Sequence, residues 1–228
     1  MRSAEASGRP VVIFDCNGVL VDSEPIASGV LADALTRAGV AVTAGVVARR
    51  FHGRRLSDIL AIVERSTQRA LPADLTATVA AETLRRLRAE LRPVPHAAHA
   101  LTWIRGPKAV ASSSALDRIR LSLEVADLLR FFEPRLFSAS LAAKGKPAPD
   151  LFLLAAARLQ VDPADCVVVE DSVAGITAAQ SAGMRPIGFV GRGLSEGQLA
   201  RDLLAAGART VIADLRALAS AVIEVRGW

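Results

Sequence analysis

Short apolar runs that end at polar residues recur along this chain, and the stretches between them repeat apolar positions with a helical period. Residues 11–14 form a continuous apolar run that ends at Asp15, a pattern typical of a strand buried on both faces of a parallel sheet. Further strands are predicted at residues 108–111, 135–138, 166–169, 187–190 and 210–212. Because helical patterns separate most of these runs, the sequence predicts an α/β fold whose core is a doubly wound, Rossmann-like parallel sheet.

The stretch after the first strand has a different pattern. Ser23, Glu24 and Pro25 are typical of a helix start, and the apolar positions after them keep a helical period almost to Pro93. No strand pattern of any strength interrupts residues 47–90. We therefore predict two domains, an α/β core and an inserted all-helical cap, with these limits: core residues 1–21 and 93–228, cap residues 22–92.

Composition narrows the class of protein. Of the 228 residues, 51% are hydrophobic but only 4% are aromatic, so the core must be built from aliphatic side chains, which suit helices packed on a parallel sheet. The net charge of +5, from 28 Lys+Arg against 23 Asp+Glu, indicates either an arginine-rich solvated surface or attraction of small anionic substrates. No basic run is interleaved with aromatic residues, so we expect no nucleic-acid partner.

The cysteines and the apolar stretches bear on the location of the protein. Cys16 and Cys166 are far apart and lack the spacing of a zinc site or a disulfide framework. Residues 1–10 lack the apolar core of a signal peptide, and no stretch approaches ~18 uninterrupted apolar residues. We therefore expect a reduced, cytoplasmic protein without a membrane partner.

Four groups of polar residues lie at or just beyond the ends of apolar runs. They are Asp15-Cys16-Asn17, Ser112, Lys146 and Glu170-Asp171. In an open α/β sheet the carboxyl ends of the strands meet at one crevice, so we expect these side chains to come together. The set suits phosphoryl transfer, because an aspartate can attack phosphorus, a hydroxyl and a lysine can hold the transferring group, and a paired acid can add oxygen ligands to Mg²⁺.

The same residues carry a resemblance to a known family. The segments FDCNGVLVDSEP, ASSS, KGKPAPD and VVVEDSVAGI resemble, in this order, the four motifs of the haloacid dehalogenase superfamily. The chain is most similar to the branch that contains phosphoglycolate phosphatase, β-phosphoglucomutase and small sugar-phosphate phosphatases, with a helical C1-type cap after the first motif. The resemblance implies a monomeric, Mg²⁺-dependent phosphomonoester hydrolase that acts on a small phosphorylated metabolite, a sugar phosphate or a sugar-acid phosphate.

The resemblance also implies roles by position. Asp15 corresponds to the nucleophile, Ser112 to the phosphate-binding hydroxyl and Lys146 to the lysine of the third motif. Lys144 competes for the last role but fits the K-P-x-P-D pattern of the family less well. The metal ligands that the resemblance implies are Asp15, Asn17 through its backbone carbonyl, Glu170 and Asp171.

Asn17 departs from the family's pattern. The family's hydrolases usually carry a second aspartate here, which protonates the leaving oxygen and then activates water against the aspartyl-phosphate. An amide has no titrating proton at neutral pH, and loss of a general acid/base typically costs ~10² to 10⁴ in rate. We therefore predict retained metal and phosphate binding with impaired turnover. Asn17 is either an introduced substitution or a natural residue, and the sequence leaves both open.

Further substrate contacts are predicted in the first motif, the second motif and the cap. Gly18 and Ser113 are expected near the phosphate, although Ser113 suits helix capping equally well. In the cap, Gly53 can let a loop approach the active site so that Arg54 meets the distal groups of the substrate; the alternative is a solvated helix end. These two cap residues belong to a basic cluster of Arg49, Arg50, His52, Gly53, Arg54 and Arg55.

Three other functions compete with hydrolysis. Mutases like β-phosphoglucomutase carry a histidine twelve positions after the nucleophile, where this chain has Ala27, which counts against a mutase without removing it. A non-catalytic phosphometabolite-binding protein, with Asn17 natural, predicts ligand binding without hydrolysis. A two-component receiver domain has its acidic pair first in the sequence, whereas here the pair comes last, and receiver domains have no cap.

Overall fold

A six-stranded parallel sheet forms the centre of the molecule in the computed structural model, which describes residues 10–51, 53–191 and 196–226. The strands lie in the order β3-β2-β1-β4-β5-β6, so the direction of winding reverses between β1 and β4. Ligand sites of doubly wound sheets lie at this reversal, outside the carboxyl ends of the strands. The strands are β1 (Val11–Phe14), β2 (Lys108–Ser112), β3 (Leu136–Ser138), β4 (Cys166–Glu170), β5 (Arg185–Phe189) and β6 (Thr210–Ile212).

Ten α-helices accompany the sheet in the part of the chain that the structure describes. Four of them follow β1, and the other six alternate with the remaining strands. They are α1 (Glu24–Arg37), α2 (Ala44–Phe51), α3 (Leu56–Thr67), α4 (Leu75–Glu90), α5 (Ala97–Trp103), α6 (Leu116–Val125), α7 (Asp150–Leu159), α8 (Val173–Ser181), α9 (Glu196–Ala205) and α10 (Leu218–Arg226). The α/β fold with a doubly wound parallel sheet, as the sequence predicts, is confirmed.

The continuous apolar run of β1 is explained by burial on both faces of the sheet. Val12 and Phe14 belong to the apolar cluster on one face, which α5, α6 and α10 cover. Val11 and Ile13 point to the opposite face and pack with α7 and α8. Successive strand residues alternate between faces, so a strand between two helical layers needs an apolar residue at every position.

Strand register brings the polar residues to one edge of the sheet. Phe14, the last residue of β1, lies opposite Val110 of β2 and Val169 of β4. The backbone N–H of Asp15 then donates to the carbonyl of Val169 across 3.0 Å. Residues that follow the last paired position of each strand therefore meet at the carboxyl end of β1.

Helices α1 to α4, here called the insertion, have an apolar cluster of their own. It includes Leu35, Phe51, Ile59 and Val79, which lie on four different helices. Two chain segments connect the insertion to the sheet and pair with each other: the N–H of Asp22 donates to the Arg92 carbonyl, and the N–H of Val94 donates to the Leu20 carbonyl, each across 2.9 Å. The chain thus leaves and re-enters the sheet layer at one place, and the domain limits after residues 21 and 92 stay a prediction.

Strand β5 differs from its predicted bounds of 187–190. It begins at Arg185 and includes Pro186 and Gly188, two residue types that usually weaken strands. Pro186 stays in the strand because its neighbours pair with β4. Its own carbonyl accepts from the N–H of Arg209 across 2.8 Å. Tertiary pairing therefore overrides local strand preference here.

In residues 10–51, 53–191 and 196–226, no helix is long and apolar enough to cross a membrane.

Candidate active site

Asp15 and Lys146 form the buried centre of the candidate site. Their side chains are 9% and 1% exposed, and the Lys146 Nζ lies 2.6 Å from the Asp15 Oδ1. The same ammonium group pairs with Glu170 and donates to the carbonyl of Ala111 across 3.3 Å. Its Nζ also lies 5.2 Å from the centre of the Phe152 ring. Lys146 is therefore fixed on several sides, whereas Lys144 is exposed.

Glu170 is anchored between this lysine and the start of α8. One carboxylate oxygen pairs with Lys146, and the other accepts from the N–H of Asp171 (3.1 Å) and from the N–H and hydroxyl of Ser172 (3.2 and 3.0 Å). A Cβ at Gly175 would lie 1.9 Å from the carboxyl carbon of Glu170. Only glycine at this position lets the helix start approach so closely, and the helix N-terminus in turn favours the negative charge.

Asp171 lies beside the turn that follows β1. Gly18 has φ +78°, and a Cβ there would lie 1.7 Å from the Asp171 Oδ2. The N–H of Gly18 donates to the Val21 carbonyl across 2.8 Å. The structure thus explains Gly18 by its backbone conformation and by the approach of Asp171, and its predicted phosphate contact stays a prediction.

Asn17 joins the first motif to the serines at and just after the end of β2. Its N–H donates to the Asp15 Oδ2 across 2.9 Å. Its side-chain Nδ2 donates to the hydroxyls of Ser114 (2.9 Å) and Ser112 (3.4 Å), and its Oδ1 accepts from the Ser23 hydroxyl across 2.8 Å. The amide is held at both ends, so the side chain has a defined orientation beside Asp15.

Ser23 was expected only as part of a helix start. The structure places it immediately before α1, but its side chain makes no capping hydrogen bond there. The hydroxyl is directed to Asn17 instead. No local sequence pattern distinguishes these two uses of a serine before a helix, so this contact became visible only in the folded chain.

The loop between α2 and α3 contacts the sheet edge. The hydroxyl of Ser113 donates to the carbonyl of Gly53 across 2.9 Å. Gly53 has φ +74°, and a Cβ there would lie 2.6 Å from the Ser172 Oγ. A Cβ at Gly145 would lie 2.3 Å from the Nε of Arg55, so this arginine covers the segment that carries Lys146. His52 lies outside the described residues.

A cavity of about 480 Å³ lies between the insertion and the sheet edge. Its volume falls within the usual range for small-molecule sites. Its wall combines the polar sheet edge with apolar side chains of the insertion such as Leu31, Phe51 and Val79. Polar lining residues include Asp15, Asn17, Arg54, Arg55, Ser113, Ser114 and Asp171, together with Glu24 and Arg118, which the sequence did not single out.

Excess negative charge characterises the sheet edge. Burial raises the pKa of Asp15 to about 7; Lys146 opposes this shift, while Glu170 and Asp171 add to it. Burial alone would lower the pKa of Lys146, but Asp15 and Glu170 outweigh it and raise the pKa above its ordinary value. Lys146 pairs with Asp15 and Glu170, and Asp171 adds a third acidic group that acts on Asp15, so acidic groups outnumber this ammonium group.

The donor set fits a hard divalent cation in its chemistry. Oxygen ligands and excess negative charge are what Mg²⁺ prefers, and the carboxylates of Asp15 and Asp171 both line the cavity. However, within residues 10–51, 53–191 and 196–226 no three acidic, histidine or cysteine side chains converge as a ready metal cluster. Glu170 has partners on both oxygens, so its predicted role as a ligand would require exchange of one of them.

The sheet order and the site together define an α/β protein with a cluster of acidic, lysine and serine side chains at the switch point of a doubly wound sheet. A family model for haloacid dehalogenase-like hydrolases matches residues 10–183, and the chain belongs to this family. The superfamily and branch that the four motifs predict are thereby confirmed.

Two curated relatives and one solved structure illustrate the similarity. The chain is 32% identical to 6-phosphogluconate phosphatase of Escherichia coli strain K12, over 78% of this chain and 81% of that protein. It is 30% identical to phosphorylated carbohydrates phosphatase of Thermotoga maritima, over 88% and 93% of the two chains. A haloacid dehalogenase-like protein of unknown function from Agrobacterium tumefaciens is 37% identical, with a TM-score of 0.79 and coverage of 96% and 99%.

Proposed function

We propose that this hydrolase cleaves phosphomonoesters of small sugars or sugar acids through an aspartyl-phosphate on Asp15. The observation that carries the proposal is the placement of Asp15 on the cavity wall, with Oδ1 held by Lys146 and Oδ2 by the N–H of Asn17. A carboxylate fixed at both oxygens is presented in one orientation, which is what an in-line attack on phosphorus requires. Cytoplasmic location and a monomeric state stay predictions.

In the first step a carboxylate oxygen of Asp15 bonds to phosphorus while the bond from phosphorus to the ester oxygen breaks. Lys146 and the serine hydroxyls of the second motif stabilise the equatorial oxygens, whose negative charge must be held in the transition state. Water then cleaves the aspartyl-phosphate and releases inorganic phosphate. Mg²⁺, when bound by Asp15, Asp171 and the carbonyl of Asn17, supplies positive charge for the phosphoryl oxygens.

Asn17 limits the proton transfers of both steps. Its amide lies beside Asp15 and donates to Ser112 and Ser114, but it cannot protonate the departing oxygen or deprotonate water. We infer that the chain binds its substrate and turns it over slowly, since a general acid/base is worth ~10² to 10⁴ in rate.

The substrate class is inferred from the relatives and the cavity. The relatives are named for activity on 6-phosphogluconate and on phosphorylated carbohydrates. The cavity wall offers hydroxyl and guanidinium donors from Ser113, Ser114 and Arg54, which suit the hydroxyls and anionic groups of a sugar phosphate. Gly53, Ser113 and Arg54 are accordingly proposed as substrate contacts.

The test compares the present chain with its Asn17→Asp variant, with and without Mg²⁺. Release of inorganic phosphate from a panel of sugar phosphates should rise by about tenfold or more in the variant. An equal rate in both proteins would contradict the role assigned to position 17. Ligand binding without phosphate release in either protein would favour a non-catalytic binding protein.

The mutase alternative is tested in the same assay. Ala27 lines the cavity at the position where the mutases carry histidine, so the wall there lacks a titrating side chain. Incubation of the Asn17→Asp variant with glucose 1-phosphates should give free phosphate and no isomer. Accumulation of the 6-phosphate isomer would instead identify a mutase.

A further inference from the structure

Arg118 is a charged residue of the cavity wall that the proposed reaction does not use. It lies in the first turn of α6, four positions after Ser114. It lines the same cavity as Asp15 and Asn17. Its Nε is buried and has no hydrogen-bond partner among the residues that the structure describes. A buried donor without a partner carries a desolvation cost that a ligand can relieve.

Arg118 is not one of the groups that hold the Asp15 carboxylate, whose oxygens are bound by Lys146 and by the N–H of Asn17. Of the acidic groups that act on Arg118, Glu24 at the start of α1 has the largest effect, followed by Cys16, Asp15 and Asp117. Burial nevertheless outweighs all of them and keeps the pKa of Arg118 below its ordinary value. Glu24 lines the same cavity as Arg118 and belongs to α1, on the side of the insertion.

The position of Arg118 is set by the sheet layer. Ile119, the next residue, is fully buried in the main apolar cluster, and its N–H donates to the Ala115 carbonyl across 3.0 Å. Arg120, two residues on, is half exposed and pairs with Glu133 at the surface. Arg118 thus lies on a helix that is anchored in the sheet layer, and a fixed position suits a group that selects substrates.

We propose that Arg118 binds a second anionic group of the substrate, a carboxylate or a further phosphate, at the end remote from the transferring phosphoryl group. The inference rests on the proposed function and names its substrate class: sugar-acid phosphates or sugar bisphosphates in preference to neutral sugar phosphates. The planar guanidinium matches the oxygens of either group in a bidentate contact, which a hydroxymethyl group cannot replace.

Ligand affinity tests this inference on the chain as it exists, because slow turnover lets binding be measured. We would titrate the full chain with Mg²⁺ and three six-carbon ligands in a calorimeter: an aldonic acid 6-phosphate, the matching alditol 6-phosphate and the alditol 1,6-bisphosphate. The unchanged chain should bind one of the two ligands that carry a second anionic group at least about tenfold more tightly than it binds the alditol 6-phosphate. A difference of this size is what a charge-assisted contact usually contributes. The ligand that is preferred identifies the second group as carboxylate or phosphate.

Arg118→Met removes the charge and keeps much of the stem. It should abolish the preference and leave the affinity for the alditol 6-phosphate within about twofold, whereas Arg120→Met, the matched control on the same helix, should change neither. Arg118→Lys should retain only part of the preference, and it replaces the methionine variant if that protein does not fold.

Three results would overturn the inference. Equal weakening of all ligands by Arg118→Met would place this arginine on the transferring phosphoryl group. An unchanged preference in the variants would assign the selectivity elsewhere. If none of the phosphorylated ligands binds the unchanged chain, the proposed function itself fails, and the role of Arg118 with it.

Discussion

The sheet edge and the insertion form opposite walls of one cavity, but they differ in how their charged groups are satisfied. At the sheet edge, Lys146 pairs with Asp15 and Glu170, and Glu170 also accepts from the start of α8. On the insertion side, the Nε and Nη2 of Arg55 are buried without a hydrogen-bond partner among the described residues. The edge is therefore organised before a ligand arrives, whereas the insertion keeps donors for a ligand or for a shift in its position.

This difference separates chemistry from selectivity. Electrostatic stabilisation works best when the groups are already in place and need no reorganisation during the reaction. Recognition of a variable substrate end tolerates a wall that adjusts. Changes at Asp15, Lys146 or Glu170 should thus impair the reaction for every substrate, and changes at unpaired donors of either wall, such as Arg55 and Arg118, should alter affinity for some of them.

The largest effect is expected at Gly18, where the sheet edge has no room for a side chain. Gly18 and Gly183 have nearly the same φ, +78° and +77°, but a Cβ at Gly18 would lie 1.7 Å from Asp171 whereas one at Gly183 meets nothing within 4 Å. Alanine at either position costs roughly 1–2 kcal/mol of backbone strain, and overpacking adds roughly 1–3 kcal/mol at Gly18 only. Gly18→Ala should therefore melt several degrees below Gly183→Ala.

The rate of phosphate release provides a second comparison of the two alanine variants. In the Asn17→Asp background, Gly18→Ala should reduce phosphate release at least tenfold because Asp171 is displaced, while Gly183→Ala should retain it. Equal melting temperatures and equal activities of the two alanine variants would show that the close contact with Asp171 is unimportant.

The second effect is a pH dependence of stability that originates at Asp15. Its folded-state pKa is about 7 against an ordinary value of 3.8, so the folded chain holds this proton more tightly than the unfolded chain. The contribution to stability is complete below pH 3.8 and is lost as the pH rises towards 7. Between pH 5 and pH 8, the melting temperature of the metal-free chain should fall relative to that of its Asp15→Asn variant, which lacks the titrating group.

Magnesium should reverse this loss. Because the cation binds the ionised carboxylates, it should raise the melting temperature more at pH 8 than at pH 5. A difference between the unchanged chain and Asp15→Asn that does not vary with pH would contradict the buried, charge-crowded environment of Asp15.

The sequence could predict the sheet edge because its signals are local. Each of Asp15, Ser112 and Glu170 ends or follows an apolar run, and parallel pairing alone brings such positions together. Lys146 lies in the loop between β3 and α7 rather than at the end of a strand, so its role required the motif, and the loop brings it to Asp15 across 131 residues of sequence.

The insertion and the contacts across the cavity could be predicted only in outline. The helical period predicted an all-helical insertion but not which of its faces meet the sheet. The use of the Ser23 hydroxyl by Asn17 and the burial of the Arg118 Nε both depend on how α1 and α6 pack. No sequence pattern indicates such contacts, because tertiary packing and not the separation along the chain determines which residues meet.

The smallest effect is expected where the two walls touch, at the hydrogen bond from Ser113 to the Gly53 carbonyl. If this bond stabilises the approach of the insertion to the sheet edge, Ser113→Ala should weaken substrate binding and leave the chemical step intact. A neutral hydrogen bond contributes about 1 kcal/mol, so KM should rise roughly fivefold at constant kcat in the Asn17→Asp background.

A matched control separates this role from a general loss of stability. Ser66→Ala removes a hydroxyl that donates to the Val63 carbonyl within α3, and it should leave KM unchanged. Ser113 contacts the insertion and is proposed to contact the substrate near its phosphoryl group, not its distal group. Its variant should therefore raise KM for the alditol 6-phosphate and the aldonic acid 6-phosphate alike, unlike Arg118→Met. A rise confined to the acid would place Ser113 on the distal group instead, and the contact between the walls would then have no part in binding.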